Sequence, residues 1–308
     1  MAFEVNTLPA YVQENRDILI KDFALVGNGT RARVGVQTGI KQDAQINYLD
    51  LEAVLQKAGC GWNAQGKVNL TQRVIHTAAL EVMMSLCPDD LRGKYAEYLV
   101  RVAPQGDGAM PFEAYVMQAL INNLNKKNED LIWKGDTAKA GDANLKWIDG
   151  LLKLSASEEG IVKATIDVAS AYGDISKAIA AIPDEALEIG AELYVAPAKY
   201  RQYLTELVEK NFYHYSGPVN EFPKEVVHPG SDVKVVYTPG LKGETSMLAT
   251  FPDNIRVGCD IEGASEDIKV WWSEDNQEYR ILAKWNIGVQ VAFPELVLFA
   301  SMGKQRSQ

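Results

Sequence analysis

From Ile281 onward the chain alternates. Ile281, Ala283, Trp285, Ile287, Val289, Val291 and Phe293 hold the odd positions, while Lys284, Asn286, Gly288 and Gln290 fall between them. Period two sustained over these thirteen positions predicts a strand with one buried face. Pro294 ends it, and "LVLFA" predicts one more strand in the same region. Just upstream, "IKVWW" and "EYRILAKW" flank the polar "SEDNQ", which predicts a hairpin.

The period changes to three and four between Pro111 and Lys134. Phe112, Tyr115, Val116, Ala119, Leu120 and Leu124 form an apolar face that Leu131 and Ile132 continue, with Gln118, Asn122, Asn125, Lys126 and Glu129 opposite. Pro111 suits the first helical position because it lacks an N–H that would be unpaired there anyway. Gly135 is the stop. A helix of this length is a rod of about 35 Å.

Shorter helices are predicted at "GDISKAIAAIPDEAL" and "PAKYRQYLTELVEKN", with the strand "AELYVA" between them, and Pro197 marks the strand-to-helix turn. "DVKVVYTPGLKG" and "SMLATFPDNIRVGCD" predict short strands with Pro-Gly and Pro-Asp turns. Residues Leu8 to Leu25 predict a short amphipathic helix carrying Tyr11, Val12, Ile18, Leu19 and Phe23. Thr77 to Leu99 predict strands or a helix pair broken at Cys87-Pro88. Between Thr30 and Arg73, two strand-like ends flank the glycine-rich "AGCGWNAQGK". This hairpin-like excursion is too poor in apolar residues to build a core of its own.

Composition narrows the function. The 308 residues, 47% hydrophobic and 23% charged, are enough for two domains or one elaborate one. A net charge of -10 argues against binding nucleic acid through phosphate contacts. Cys60, Cys87 and Cys259 are odd in number and widely spaced, which suggests buried thiols in a reducing compartment. The N-terminus has no secretory pattern and no run is long enough to span a membrane, so cytoplasmic synthesis is expected.

The chemistry is sparse. His76, His214 and His228 fit no zinc spacing, and "YHYSG" has no nucleophile-elbow or triad signature beside it. "GNGTRARVG" lacks the Lys-Ser/Thr of a phosphate loop. No catalytic, cofactor-binding or metal-binding residue is assigned, no cofactor is implied, and no enzyme activity is expected.

The order of elements resembles the Hong Kong 97 type of tailed-bacteriophage major capsid protein. The likeness rests most on the run from "DVKVVYTPGLKG" through "NIRVGCD" to "GVQVAFPELV", and on the long helix with its exit "EDLIWKGD". The resemblance implies an α+β fold with residues 1–28 as an N-terminal arm and 29–73 as an extended E-loop. Residues 74–144 and 251–308 would form a peripheral domain with spine helix 111–134, and 145–250 an axial domain. Val36, Ile40, Ile46, Tyr48 and Trp62 would then be covered by a neighbouring copy. Self-assembly through pentamers and hexamers into an icosahedral virion capsid around phage DNA is expected, without sequence-specific DNA contacts. A portal is another implied partner, and because the arm begins within thirty residues of Met1, a separate scaffolding protein, or none, is implied. Lys41, Lys57 and Lys67 lie in the E-loop, but nothing assigns an acceptor for a cross-link. An encapsulin-like compartment and an α+β enzyme with an unrecognised site stay open as alternatives.

Overall fold

The computed structural model describes residues 7–15, 29–40, 43–52, 54–55, 67–87, 112–139, 141–166, 170–210, 223–260 and 268–302. Its longest strand is β12 (Glu278–Val291), where the alternation is realised. Tyr279, Ile281, Ala283, Ile287, Val289 and Val291 are buried, whereas Lys284 is exposed. One edge of β12 pairs with β4 (Thr77–Leu86), from Tyr279 opposite Leu86 to Gly288 opposite Thr77. The other edge is shared end to end by β11 (Ile268–Ser273) and β10 (Ile255–Cys259). The three-residue β1 (Gly35–Gln37) extends this sheet in parallel beyond β10. The β11–β12 connection is the expected hairpin, and Gln277 in its turn takes a left-handed φ of 51°.

A second, six-stranded sheet runs β5 (Val162–Ile166), β13 (Leu298–Met302), β9 (Met247–Thr250), β6 (Glu192–Val195), β8 (Lys234–Tyr237), β7 (Glu225–Val227). Both of its faces are covered, so its strands read as continuous apolar runs. Leu193, Val195, Val235, Met247, Ala249, Leu298 and Ala300 feed one core with α4 (Ala171–Ala180), α5 (Asp184–Ile189) and α6 (Pro197–Glu209). Their neighbours Tyr194, Val236 and Leu248 point the opposite way, into a core shared with β10 and β12. The last strand departs from expectation here. Placed by sequence with the β12 region, β13 crosses to the second sheet and pairs in parallel with β5.

The helix α2 (Phe112–Lys134) joins the two sheets. Its N-terminal half packs Met117, Ile121 and Leu124 against Tyr279 and Ala283 of β12, together with Leu8 and Val12 of α1 (Thr7–Glu14). Its C-terminal end sends Leu131, Ile132 and Trp133 into the core between the sheets, beside α3 (Leu151–Ser157). The Trp133 ring lies 5.5 Å from that of Tyr194 in β6. The buried stripe is Ala114, Met117, Ile121, Leu124, Asn128 and Leu131, one position round from the predicted face. Tyr115, Val116 and Leu120 are half-buried flanks, and Ala119 is exposed. Glu129, expected on the solvent side, is buried. The predicted continuation of the first helix to Leu25, the Pro111 helix start and the Cys87-Pro88 break all reach beyond the described residues.

Candidate functional site

Strands β2 (Ala44–Glu52) and β3 (Lys67–Ile75) pair antiparallel from Ala44 opposite Ile75 to Glu52 opposite Lys67. Among the described residues they form a two-stranded sheet of their own. Nine residues at about 3.4 Å each make a flap of about 30 Å. An isolated pair of strands is marginal in water and needs packing from elsewhere. Beyond β2, Val54 is exposed and Leu55 is 100% exposed.

The flap is rooted where it meets the first sheet. β3 runs into β4 with His76 alone between them. The two legs cross above a paired glycine floor, Gly258 of β10 opposite Gly288 of β12. A Cβ on Gly258 would lie 2.9 Å from Ile40 Cδ1 and 3.2 Å from Ile75 Cγ2. One on Gly288 would collide with the His76 carbonyl oxygen. Asp43 ties the legs to each other. Its carboxylate lies 2.8 Å from His76 Nδ1 and accepts from the Thr77 N–H at 3.2 Å. These bonds, the His76 bond foremost, hold its pKa below the usual carboxylate value.

A buried polar cluster grips the outgoing leg. The Thr30 N–H donates to both oxygens of Glu129, at 3.0 and 3.1 Å, and the Thr30 hydroxyl lies 2.5 Å from Oε1. Trp133 Nε1 donates to the same hydroxyl at 2.5 Å. Gly29 is required at this point, because a Cβ there would sit 2.6 Å from the Glu129 carboxyl carbon. Arg31 donates to Asn125 Oδ1 at 2.7 Å. Burial raises the Glu129 pKa, opposed by the Thr30 hydrogen bonds and the Arg31 charge. Burial likewise lowers that of Arg31.

Further along this leg, Arg33 contacts Glu192 of β6 at 3.3 Å and Glu225 of β7. On the returning leg, Arg73 of β3 pairs with Glu158, which follows α3. None of these partners was singled out from sequence. The available signal was spacing, since Asn125, Glu129 and Trp133 succeed one another at four-residue steps on one helix face.

The remaining chemistry is structural in character. His228 is buried, with Nδ1 2.8 Å from the Tyr203 hydroxyl and Nε2 3.2 Å from Ser176 Oγ. The Tyr172 ring stacks on it at 5.2 Å, and burial lowers its pKa. His214 lies outside the described residues. Among the described residues no group of three or more His, Cys, Asp or Glu could hold a metal ion, and no helix is long and apolar enough to cross a membrane. A cavity of about 780 Å³ between α2 and the first sheet is lined by Asn128, Trp147, Asp260 and Trp285 among others, with no His, Cys or Ser among its described walls.

No protein-family model matches the chain, and no curated protein sequence does. Solved structures do match. The satellite phage P4 procapsid, which includes the size determination (Sid) protein, aligns with a TM-score of 0.61 at 12% identity, covering 94% of this chain and 99% of that one. The capsid of a native GTA particle aligns at 0.56 and 9%, covering 90% of each chain. A virus-like particle from Pyrococcus furiosus aligns at 0.51 and 12%, covering 94% of this chain and 98% of that one. The fold is that of the Hong Kong 97-type capsid proteins. At such identities the Hong Kong 97-type likeness is carried by backbone arrangement, not by shared side chains.

The five residues that the resemblance assigned to contacts between Hong Kong 97-type subunits fare differently. Ile40 is 6% exposed and already covered by its own chain, against Gly258 and beside Ile75. Val36 is half-buried in β1 of the first sheet, and Ile46 is half-buried on the flap. Trp62 and the Tyr48 side chain lie outside the described residues. The segment from Thr30 to Ile40, expected within the E-loop, is thus packed on the body, and the projecting strands begin at Ala44.

Proposed function

We propose that this chain is a major capsid protein, the repeating subunit of an icosahedral shell enclosing phage DNA. One observation carries the reading. A Hong Kong 97-type body covering nearly the full length of a procapsid protein projects a hairpin whose strands have only each other to pair with among the described residues. In this reading the hairpin is the E-loop and lies across an adjacent copy, which supplies the packing that two strands lack. Its outgoing leg, residues 29–40, belongs mechanically to the body. The sheet containing β12, with α1 and α2, forms the peripheral domain. The six-stranded sheet and its helices form the axial domain, which β13 joins from the C-terminus. Of residues 1–28, α1 packs on its own chain's long helix and β12, and the rest serves as the arm toward a neighbour.

Assembly runs through heterologous contacts that close into pentamers and hexamers. Many modest contacts per subunit sum to an area typical of obligate assemblies, of the order of several thousand Å². The subunit performs no reaction. It is synthesised in a bacterial cytoplasm and ends in the virion, with a separate scaffolding protein and a portal as partners. The net charge of -10 suits a shell that must not hold DNA tightly.

Sedimentation velocity and negative-stain microscopy of the purified chain across a concentration series test this. Rings or shells tens of nanometres wide are expected. A permanent monomer at every concentration would refute it. Shells of that size that hold no nucleic acid when purified from the host would refute the enclosure of phage DNA.

A further inference from the structure

The direction of the flap relative to the body has a specific electrostatic basis. The two legs, Gly29 to Ile40 and Gln72 to His76, bring a threonine and two arginines, and the body meets them with glutamates from four separate places. Glu129 of α2 holds Thr30, Glu192 of β6 and Glu225 of β7 hold Arg33, and Glu158 after α3 holds Arg73. The outgoing leg is therefore fixed in three places. The returning leg behaves differently. At its base Ile75 rests beside Ile40 on the bare floor of Gly258, and the ties to the body are two long hydrogen bonds, Ile40 N–H to the Cys259 carbonyl at 3.4 Å and Gln290 Nε2 to the Val74 carbonyl at 3.3 Å, which leave the flap's angle weakly held. Two residues out along β3, Arg73 reaches the body. In β3, backbone pairing goes to β2.

We propose that Arg73 and Glu158 form a latch that sets the flap at a fixed angle over the pivot made by Ile40 and Ile75, so that the flap meets a neighbouring subunit pre-organised. The pair is placed for that task. The Arg73 side chain is 11% exposed and that of Glu158 23%, so water and salt screen it less than a surface pair. Glu158 Oε2 is buried without a hydrogen-bond partner, so the anion depends on the arginine at its other oxygen. A flap held in its docking direction surrenders less conformational freedom on contact, which lowers the concentration needed to assemble. The effect on assembly rests on the shell reading above; the latch itself is a property of the single chain.

The test uses the full chain with Cys60 and Cys87 replaced by serine and spin labels at Leu55→Cys and Lys177→Cys, on the flap and on α4. Distances are measured by pulsed electron resonance below the assembly concentration. The unaltered pair gives one narrow distance distribution. Arg73→Glu and Glu158→Arg each broaden it, and the double swap narrows it again. In assembly each single reversal raises the required protein concentration about tenfold, as loss of about 1.4 kcal/mol would, and the swap reverses the change. Should Arg73→Glu fail to fold, Glu158→Gln and a salt titration of the parent chain supply the same broadening. An unchanged distribution in the folded variants, or a swap without recovery, overturns the latch. A parent chain that never forms shells while the distributions behave as described refutes the capsid reading and leaves the latch standing.

Discussion

Glu129→Ala is the most informative single perturbation. It removes the acceptor for the Thr30 N–H and hydroxyl and takes away a carboxylate charge that acts on buried Arg31. A buried donor left without a partner costs about 1–3 kcal/mol. Loss of the opposing charge felt by buried Arg31 adds to this, up to about 3–5 kcal/mol in all. We therefore expect a loss of about 3–5 kcal/mol in urea unfolding, read by the fluorescence of Trp133, whose indole belongs to the cluster. Glu129→Gln keeps an oxygen for the Thr30 N–H and an amide for the hydroxyl, so it should lose far less. The pH dependence has a definite sign. Burial places the folded-state pKa of Glu129 above its ordinary value of 4.5. Between the two, the folded chain holds a proton that the unfolded chain has released, so stability from this group is present below 4.5 and is lost as pH rises. Glu129→Gln should remove that slope and compare best with the parent at the upper end of the window. A Glu129→Ala loss under about 1 kcal/mol, or Gln and Ala variants of equal stability, would refute the argument.

Other consequences follow from the flap and the second core. Gly288→Ala forces a Cβ into the His76 carbonyl, and overpacking of this kind costs about 1–3 kcal/mol in thermal unfolding; a neutral result would mean that the legs do not rest on this floor. Leu55→Asp should leave the melting temperature unchanged, since the side chain is 100% exposed, yet abolish shell formation by light scattering. His228 has a folded pKa below 6.5, so its contribution to stability is lost as pH falls below that value; His228→Phe should flatten urea midpoints measured between pH 7.5 and 5.5. Tyr203→Phe removes the hydroxyl bonded to His228 and should cost about 1 kcal/mol by the same measurement, without altering assembly.

How much was legible from the chain varied by element. The β12 alternation and the helices at Ala171 and Pro197 could be read directly, since local periodicity alone states them. The face of α2 was harder. Its two ends pack against different bodies, so Met117 and Ile121 answer to β12 while Ile132 and Trp133 answer to the space between the sheets. A single stripe drawn through all of them lands one position off. Glu129 was invisible for the same reason, because a carboxylate on a polar-looking helix face becomes a buried anchor only once Thr30 arrives from 99 residues away.

The sequence by itself determined the period of the main strands and helices, many of the prolines and glycines that end them, and that the excursion between Thr30 and Arg73 is too poor in apolar residues for a core of its own. These are local matters of backbone geometry and side-chain period. Only the tertiary structure decided that the last strand crosses to the second sheet, that Ile40 is covered by its own chain, and that two arginines on the flap's legs meet three glutamates from separate parts of the body. Those outcomes depend on which distant surfaces meet, and burial and Coulomb energy act on distance in space, to which spacing along the chain is no guide.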